Sequence, residues 1–163
     1  MSPQQRKTRK RQRKAVKAIA VVNDTKVKGL VEFMEKGAGV AVRAHFTEMP
    51  AGEHGFHIHE FGDMSDGCAT LGAHWNPTGQ EHGGVHSKVR HSGDFGNVKK
   101  GVTYRYFIAG AKILSGPSAF RVLGRSVVIH EGKDDLGLGD KPDSKTTGGS
   151  GARIGCAVIG MCA

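Results

Sequence analysis

Seven of the nine histidines in this 163-residue chain fall between His54 and Asp94: His54, His57, His59, His74, His82, His86 and His91. Another, His130, sits in the apolar run Arg125-Ser-Val-Val-Ile-His130-Glu. Neutral imidazole is the commonest metal ligand, and this density of imidazoles asks for a metal. In an extended strand, side chains at i and i+2 share a face. His57 and His59 therefore present two nitrogens together if residues 54–60 are extended. Residues 62–93 are rich in Gly, Pro, Asp and Asn and have neither helical nor strand periodicity, so they read as one long loop. A loop of that length is functional or disordered. His74, His82, His91 and Asp94 would close a shell of three imidazoles and a carboxylate on a metal and so order it. That composition suits zinc, while an open, imidazole-rich site suits copper as well. Taken singly, His45, His54 and His86 read as ordinary packed or surface histidines.

The elements that must position these residues are strands. Residues 15–22, 27–33 and 39–46 alternate in short apolar pieces separated by turn signals at Asn23-Asp24 and Lys36-Gly37. Residues 95–98, 102–108 and 125–130 supply three more beyond the histidine-rich window. The 25 glycines and few aromatics fit an all-β chain. The expected architecture is a Greek-key antiparallel β-barrel or sandwich of about eight strands with two long functional loops, the second running from Glu131 to Arg153. Helix signals are nearly absent. The length bounds the chain to one domain at 15–163, and no apolar run approaches the 18 residues a membrane span needs.

Residues 1–17 carry eight Lys or Arg and no acid, so the remaining 16 bases nearly balance the 15 acids and almost all of the net +9 belongs to this end. Residues 1–14 are expected to be a basic, disordered extension. Its functional reading is a nuclear address, or an anchor to nucleic acid or an acidic surface; the plain alternative is a solvated extension with no partner. No apolar segment of signal-peptide length follows the charges. The expected location is therefore cytoplasmic, or nuclear through the arm, and not secreted.

In sequence order, the motifs Gly55-Phe-His57-Ile-His59-Glu-Phe-Gly-Asp, Gly67-Cys68, Gly72-Ala-His74-Trp-Asn-Pro, His82-Gly-Gly, Arg90-His91-Ser-Gly-Asp94-Phe-Gly-Asn, Val127-Val-Ile-His130-Glu-Gly-Lys-Asp134 and Gly151-Ala-Arg153-Ile-Gly-Cys156 closely resemble the copper,zinc superoxide dismutases. The resemblance covers the chain from about residue 16 onward. It implies copper ligands at His57, His59, His74 and His130, and zinc ligands at His74, His82, His91 and Asp94, with His74 bridging the two metals. It also implies that Asp134 ties His57 to His82, that Cys68 and Cys156 form a disulfide, and that Arg153 binds superoxide beside the copper. The implied reaction converts superoxide to dioxygen and hydrogen peroxide by copper redox cycling, with His74 handling a proton and zinc structural.

The resembled type is the eukaryotic cytosolic one, which implies a homodimer through Phe61-Gly62, Leu123-Gly124 and Ile159-Gly-Met161, with a copper chaperone as a further partner. The basic arm departs from the pattern, as does the run Asp140-Lys-Pro-Asp-Ser-Lys145-Thr-Thr147 in the loop expected to steer the anion. Cys162 has no partner evident from sequence. Two readings from other classes compete with the dismutase one. A copper carrier would bring a Cys-x-x-Cys module, which is absent, and a nucleic-acid-binding protein would use the fold only as a scaffold for the arm.

Overall fold

The computed structural model describes residues 16–162; the extension expected at 1–14 lies outside them. Among the described residues nine strands form, β1 Lys17–Asn23, β2 Lys28–Lys36, β3 Gly39–Glu48, β4 His54–His59, β5 Asp94–Val98, β6 Thr103–Ala109, β7 Ser126–His130, β8 Arg153–Val158 and β9 Gly160–Met161, with a short 3-10 turn at Ser118–Phe120 and one α-helix, α1, at Ser144–Thr147. They assemble into two antiparallel sheets, in the orders β6-β3-β2-β1-β9 and β5-β4-β7-β8. The chain crosses between sheets after β3, β5, β6 and β8, and β6 returns to pair with β3, the non-sequential neighbour of a Greek key. No helix among the described residues is long and apolar enough to cross a membrane.

Alternation builds the sandwich. In β1, Ala18, Ala20 and Val22 are buried while Lys17, Val21 and Asn23 are exposed. In β2 and β3, Val31, Phe33, Val40, Val42, Ala44 and Phe46 join them in the core. From the second sheet come Phe56, Ile58, Val127 and Ile129. Phe56 stacks on Phe95 at 5.2 Å and meets Phe46 edge-on at 5.5 Å, which joins the two layers through aromatic contact.

Strand β4 is buried along its whole length, as is its neighbour β7. Phe56 and Ile58 face the sandwich core, so His57 and His59 must face the other way, where the two long loops cover them. The first loop is laid against β4 by backbone hydrogen bonds: Trp75 N–H donates to Ile58 O at 2.8 Å, and Ile58 N–H to Gly93 O at 2.9 Å. Trp75 is buried, donates its indole N–H to Ala119 O at 2.8 Å, and carries the Arg125 guanidinium over its ring at 4.9 Å. The second loop is tied to the sheet by a reciprocal pair, Asn97 Nδ2 to Asp134 O at 2.8 Å and Asp134 N–H to Asn97 Oδ1 at 2.7 Å. Cys68 and Cys156 form the disulfide, which joins the first loop to β8.

Two details differ from the sequence expectation. Residues 153–158 and 160–161 form strands that composition did not single out, and the second loop contains α1.

Candidate metal centre

His57 and His59 from β4, His74 from the first loop and His130 from the end of β7 are buried and offer four ligand nitrogens within 4.8 Å of one another. Each ring has one nitrogen committed elsewhere. His57 Nε2 donates to Asp134 Oδ2 at 2.8 Å, His59 Nδ1 to Gly72 O at 3.0 Å, and His130 Nδ1 to Gly151 O at 2.9 Å. His74 Nδ1 is paired with Asp94 Oδ1 at 2.9 Å. The four remaining nitrogens, Nδ1 of His57 and Nε2 of His59, His74 and His130, are buried without a hydrogen-bond partner. A buried polar atom left unpaired costs about 1–3 kcal/mol. Four such atoms converging on one point fit a metal that accepts all four lone pairs, and the all-imidazole set suits copper.

On the other side of His74 the ligand set changes character. The Asp94 carboxylate, fully buried, lies 2.9 Å from His74 Nδ1, 3.0 Å from His82 Nδ1 and 3.2 Å from His91 Nδ1. These separations are close to the edge of a ligand tetrahedron around zinc, roughly 3.3 Å for metal–nitrogen bonds of about 2.0 Å. His82 Nδ1 is within reach of Asp94 yet makes no aligned hydrogen bond to it, so both aim at a shared point instead of at each other. His57, His74, His82 and Asp94 offer ligand atoms that all lie within 4.8 Å of one another. His57 belongs to the copper side by its bare Nδ1, and His91 reaches this group through Asp94.

Asp134 links the two halves. It accepts from His57 Nε2 and His82 Nε2, both at 2.8 Å, one on each carboxylate oxygen. The backbone N–H of Leu136 adds a third bond at 2.7 Å. Burial raises the pKa of Asp134 and of Asp94, but the histidine hydrogen bonds outweigh it and hold both well below the usual carboxylate range. On the copper-side rings burial works the other way, and the charge of neighbouring rings adds to it. Burial first, and repulsion from neighbouring charged groups second, lower His59 to about 2 and His130 to about 4, and His57 falls well below its ordinary value. For His82, burial is outweighed by the hydrogen bond to Asp134 and the neighbouring Asp94 carboxylate, which raise it to about 9.

Arg153, at the start of β8, is half-buried and doubly anchored. It donates through Nη1 to Cys68 O at 2.7 Å and through Nη2 to Gly72 O at 2.6 Å. The Gly72 carbonyl is the same one that orients His59, so the guanidinium and a copper-side ring share one acceptor.

Three groups that support the site were not singled out in the sequence. They are Asn97, which clamps Asp134; Gly72, whose carbonyl serves two side chains; and His54, whose Nδ1 is 2.9 Å from the His130 carbonyl. Only the identity of His54 gave a signal, and a single buried histidine looks like any other. His86 is exposed and His45 pairs with Thr103 Oγ1 at 3.1 Å, away from the cluster. Lys145 of the altered loop serves the zinc side by its backbone, its carbonyl accepting the His82 N–H at 2.9 Å.

Comparison with known proteins agrees with this geometry. Residues 27–159 match the family described as copper/zinc superoxide dismutase. A superoxide dismutase [Cu-Zn] of Paramecium bursaria Chlorella virus 1 is 45% identical over 151 residues, covering 90% of this chain and 79% of that protein. The extracellular superoxide dismutase [Cu-Zn] of Drosophila melanogaster is 44% identical over 142 residues, covering 85% and 78% respectively. The crystal structure of the clock protein EA4 superposes with a TM-score of 0.82 at 36% identity, over 95% of this chain and all of that one. With four bare imidazole nitrogens on one side of His74, a zinc-type shell on the other, and relatives of this identity, the chain belongs to the copper/zinc superoxide dismutase family.

Proposed function

We propose that the chain dismutes superoxide at the His57, His59, His74 and His130 cluster, with Arg153 as the residue that receives the anion. The observation that carries this reading is the set of four buried, unpartnered nitrogens on one side of His74. Copper held there supplies one-electron chemistry in both directions, while zinc held by His74, His82, His91 and Asp94 supplies a fixed, redox-inert charge. The protein does the positioning. Asp134 and the carbonyls of Gly72 and Gly151 fix the tautomers of three rings, so that each presents a lone pair inward. His74 is the one ring that faces both sides, and its Nε2 is the atom placed to take up and hand on a proton. Arg153 keeps a planar, permanently charged donor group beside the site, which suits a small anion.

Three finer readings belong to the same proposal. The chain is of the eukaryotic cytosolic type and acts in the cytoplasm or nucleus, with a copper chaperone as supplier and nucleic acid or an acidic surface as the partner of residues 1–14; the run of bases in that arm supports the last. His91 is the fourth zinc ligand, supported by its 3.2 Å approach to Asp94. The chain pairs as a twofold dimer through the face where Phe61, Val158 and Met161 are exposed around Gly62 and Gly124. Ile159 is buried in the core and takes no part in that face.

The deciding experiment is superoxide dismutation by the protein reconstituted with both metals, beside a His130→Ala variant and metal analysis. Rapid, copper-dependent activity that collapses in the variant supports the reading; full metal occupancy without activity points to a metal carrier. A monomer by sedimentation at micromolar concentration would remove the dimer.

A further inference from the structure

Among the described residues, one further set of metal-ligating side chains converges outside the histidine cluster, and it surrounds the disulfide. The sulfurs of Cys68 and Cys156 and a carboxylate oxygen of Asp24 lie within 4.8 Å of one another. Met64 brings a thioether to the same place, its Sδ 3.8 Å from Cys156 Sγ. Cys156 itself is buried, but cavities open on both sides of the bond. One, of about 450 Å³, is lined by Met64, Cys156 and Asp24 among others. The other, of about 440 Å³, is lined by Cys68, Asp24 and Arg153. A small thiol and a metal ion therefore have access to both sulfurs.

We propose that reduction of the Cys68–Cys156 disulfide uncovers a second metal site, selective for monovalent copper, with Cys68 Sγ, Cys156 Sγ and Met64 Sδ as ligands. Thiolate and thioether sulfur are soft donors that select copper(I), and a thioether in particular disfavours the harder divalent ions. Metal–sulfur bonds of about 2.3 Å place neighbouring sulfurs roughly 3.8 to 4.0 Å apart in tetrahedral or trigonal sites. Met64 and Cys156 already stand at that separation. The two cysteine sulfurs, once unbonded, relax to van der Waals contact, close to the same value. Asp24 is a positioning residue here: its Oδ2 accepts the Cys156 N–H at 2.7 Å and so fixes the backbone that carries the sulfur.

The chemistry balances with a low-molecular-weight thiol as reductant. Two equivalents of thiol become one disulfide while the Cys68–Cys156 bond becomes two thiols. Copper(I) then replaces both thiol protons, which leave to solvent, and keeps its oxidation state. The bound ion ties the first loop to β8 as the disulfide does, so the chain carries a covalent staple when oxidised and a metal clip when reduced. The clip lies at the rim of the proposed dimer face, beside Val158 and Gly160.

The test uses the full, zinc-loaded chain, reduced and freed of thiol under anaerobic conditions, then given two equivalents of copper(I). X-ray absorption is expected to show one nitrogen-bound copper and one sulfur-bound copper. The disulfide-intact chain should take only the nitrogen-bound one. Met64→Leu, a volume-conserving change at an exposed position, should weaken the sulfur-bound copper at least about tenfold against a copper(I) chelator. Cys162→Ser should leave it unchanged. The reduced chain should also gain thermal stability from the second equivalent. Nitrogen-only coordination in the reduced chain overturns the site, as does equal affinity in Met64→Leu, loss in Cys162→Ser, or displacement of the sulfur-bound copper by stoichiometric zinc.

Discussion

Arg153 donates to the backbone carbonyl of Cys68 at 2.7 Å, so the guanidinium beside the copper-side rings is held by the very residue that the disulfide joins to β8. Breaking that bond acts on function as well as stability. The disulfide closes a separation of 88 residues, and on the chain-entropy account a loop of that length contributes about 4 to 5 kcal/mol. Cys68→Ser with Cys156→Ser should lower the denaturation midpoint correspondingly. It should also reduce dismutation per bound copper, because the carbonyl that anchors Arg153 is free to move. Denaturant titration and activity per bound copper check the two effects separately. Unchanged specific activity in the double variant would show that the Gly72 carbonyl alone holds the arginine.

Asp134→Asn keeps the shape but gives up the double acceptor. The two rings meet different carboxylate oxygens, so one of them would face the amide nitrogen, which offers its N–H no acceptor. Partners of ligand histidines are worth about 10 to 100-fold in metal affinity. The greater loss should fall on the zinc side, since His82 has no other tie for its Nε2. His57 remains held in a β-strand whose neighbours are all buried. Competition against zinc and copper chelators should therefore show a larger drop for zinc than for copper.

The two metal sides should differ in their proton balance. In the metal-free protein at pH 7, burial keeps His59 and His130 neutral, at about 2 and about 4. His82, raised to about 9, is protonated and must lose that proton to expose Nδ1. Zinc uptake at neutral pH should release about one proton, and zinc affinity should fall about tenfold per pH unit below 9 from this ring. Copper uptake should release almost none. The same shifts set the stability of the metal-free chain. Below pH 6.5 the contribution of His82 is fully present, and it fades as pH rises through 9. The depressed pair works oppositely: unfolding takes up protons on His59 and His130, so stability is lost as pH falls below 6.5 towards 4 and then 2. Titration in weakly buffered solution with a pH indicator reads the proton release directly.

The strands and ligand identities were legible because they rest on local pattern: His57 and His59 need only the two-residue repeat of β4, and the alternation in β1 to β3 is plain. Strand β8 was not, because its interior residue Gly155 is set by packing. A Cβ there would stand 2.7 Å from Val27 Cβ, so the position is reserved for glycine, and a strand containing it shows no clear apolar alternation. The role of Asp134 could be read only through family resemblance. Its two histidine partners lie 77 and 52 residues away, and nothing in its own loop announces them. The anchors of Arg153 are backbone carbonyls, which every residue has, so no sequence signal could single out Gly72.

Gly148 closes α1 and offers the sharpest probe of the second loop. Its φ is +68°, in the left-handed region that glycine adopts freely. A Cβ there would collide with Asp134 Oδ1 and stand 2.6 Å from His82 Nε2, at the junction of the hydrogen bond that joins them. Gly148→Ala should therefore cost the usual penalty of a left-handed alanine, about 1 kcal/mol, and in addition push Asp134 and His82 apart. Gly110 gives the control: its φ is +74° and a Cβ would meet nothing within 4 Å. Gly110→Ala pays the backbone penalty alone. Zinc affinity should drop at least about tenfold in Gly148→Ala and stay at the parent value in Gly110→Ala, with similar strain at both positions. Equal zinc affinity in the two variants would mean that the Asp134–His82 contact yields without consequence, and that the loop holds the zinc-side rings through its backbone bond from His82 N–H to Lys145 O instead.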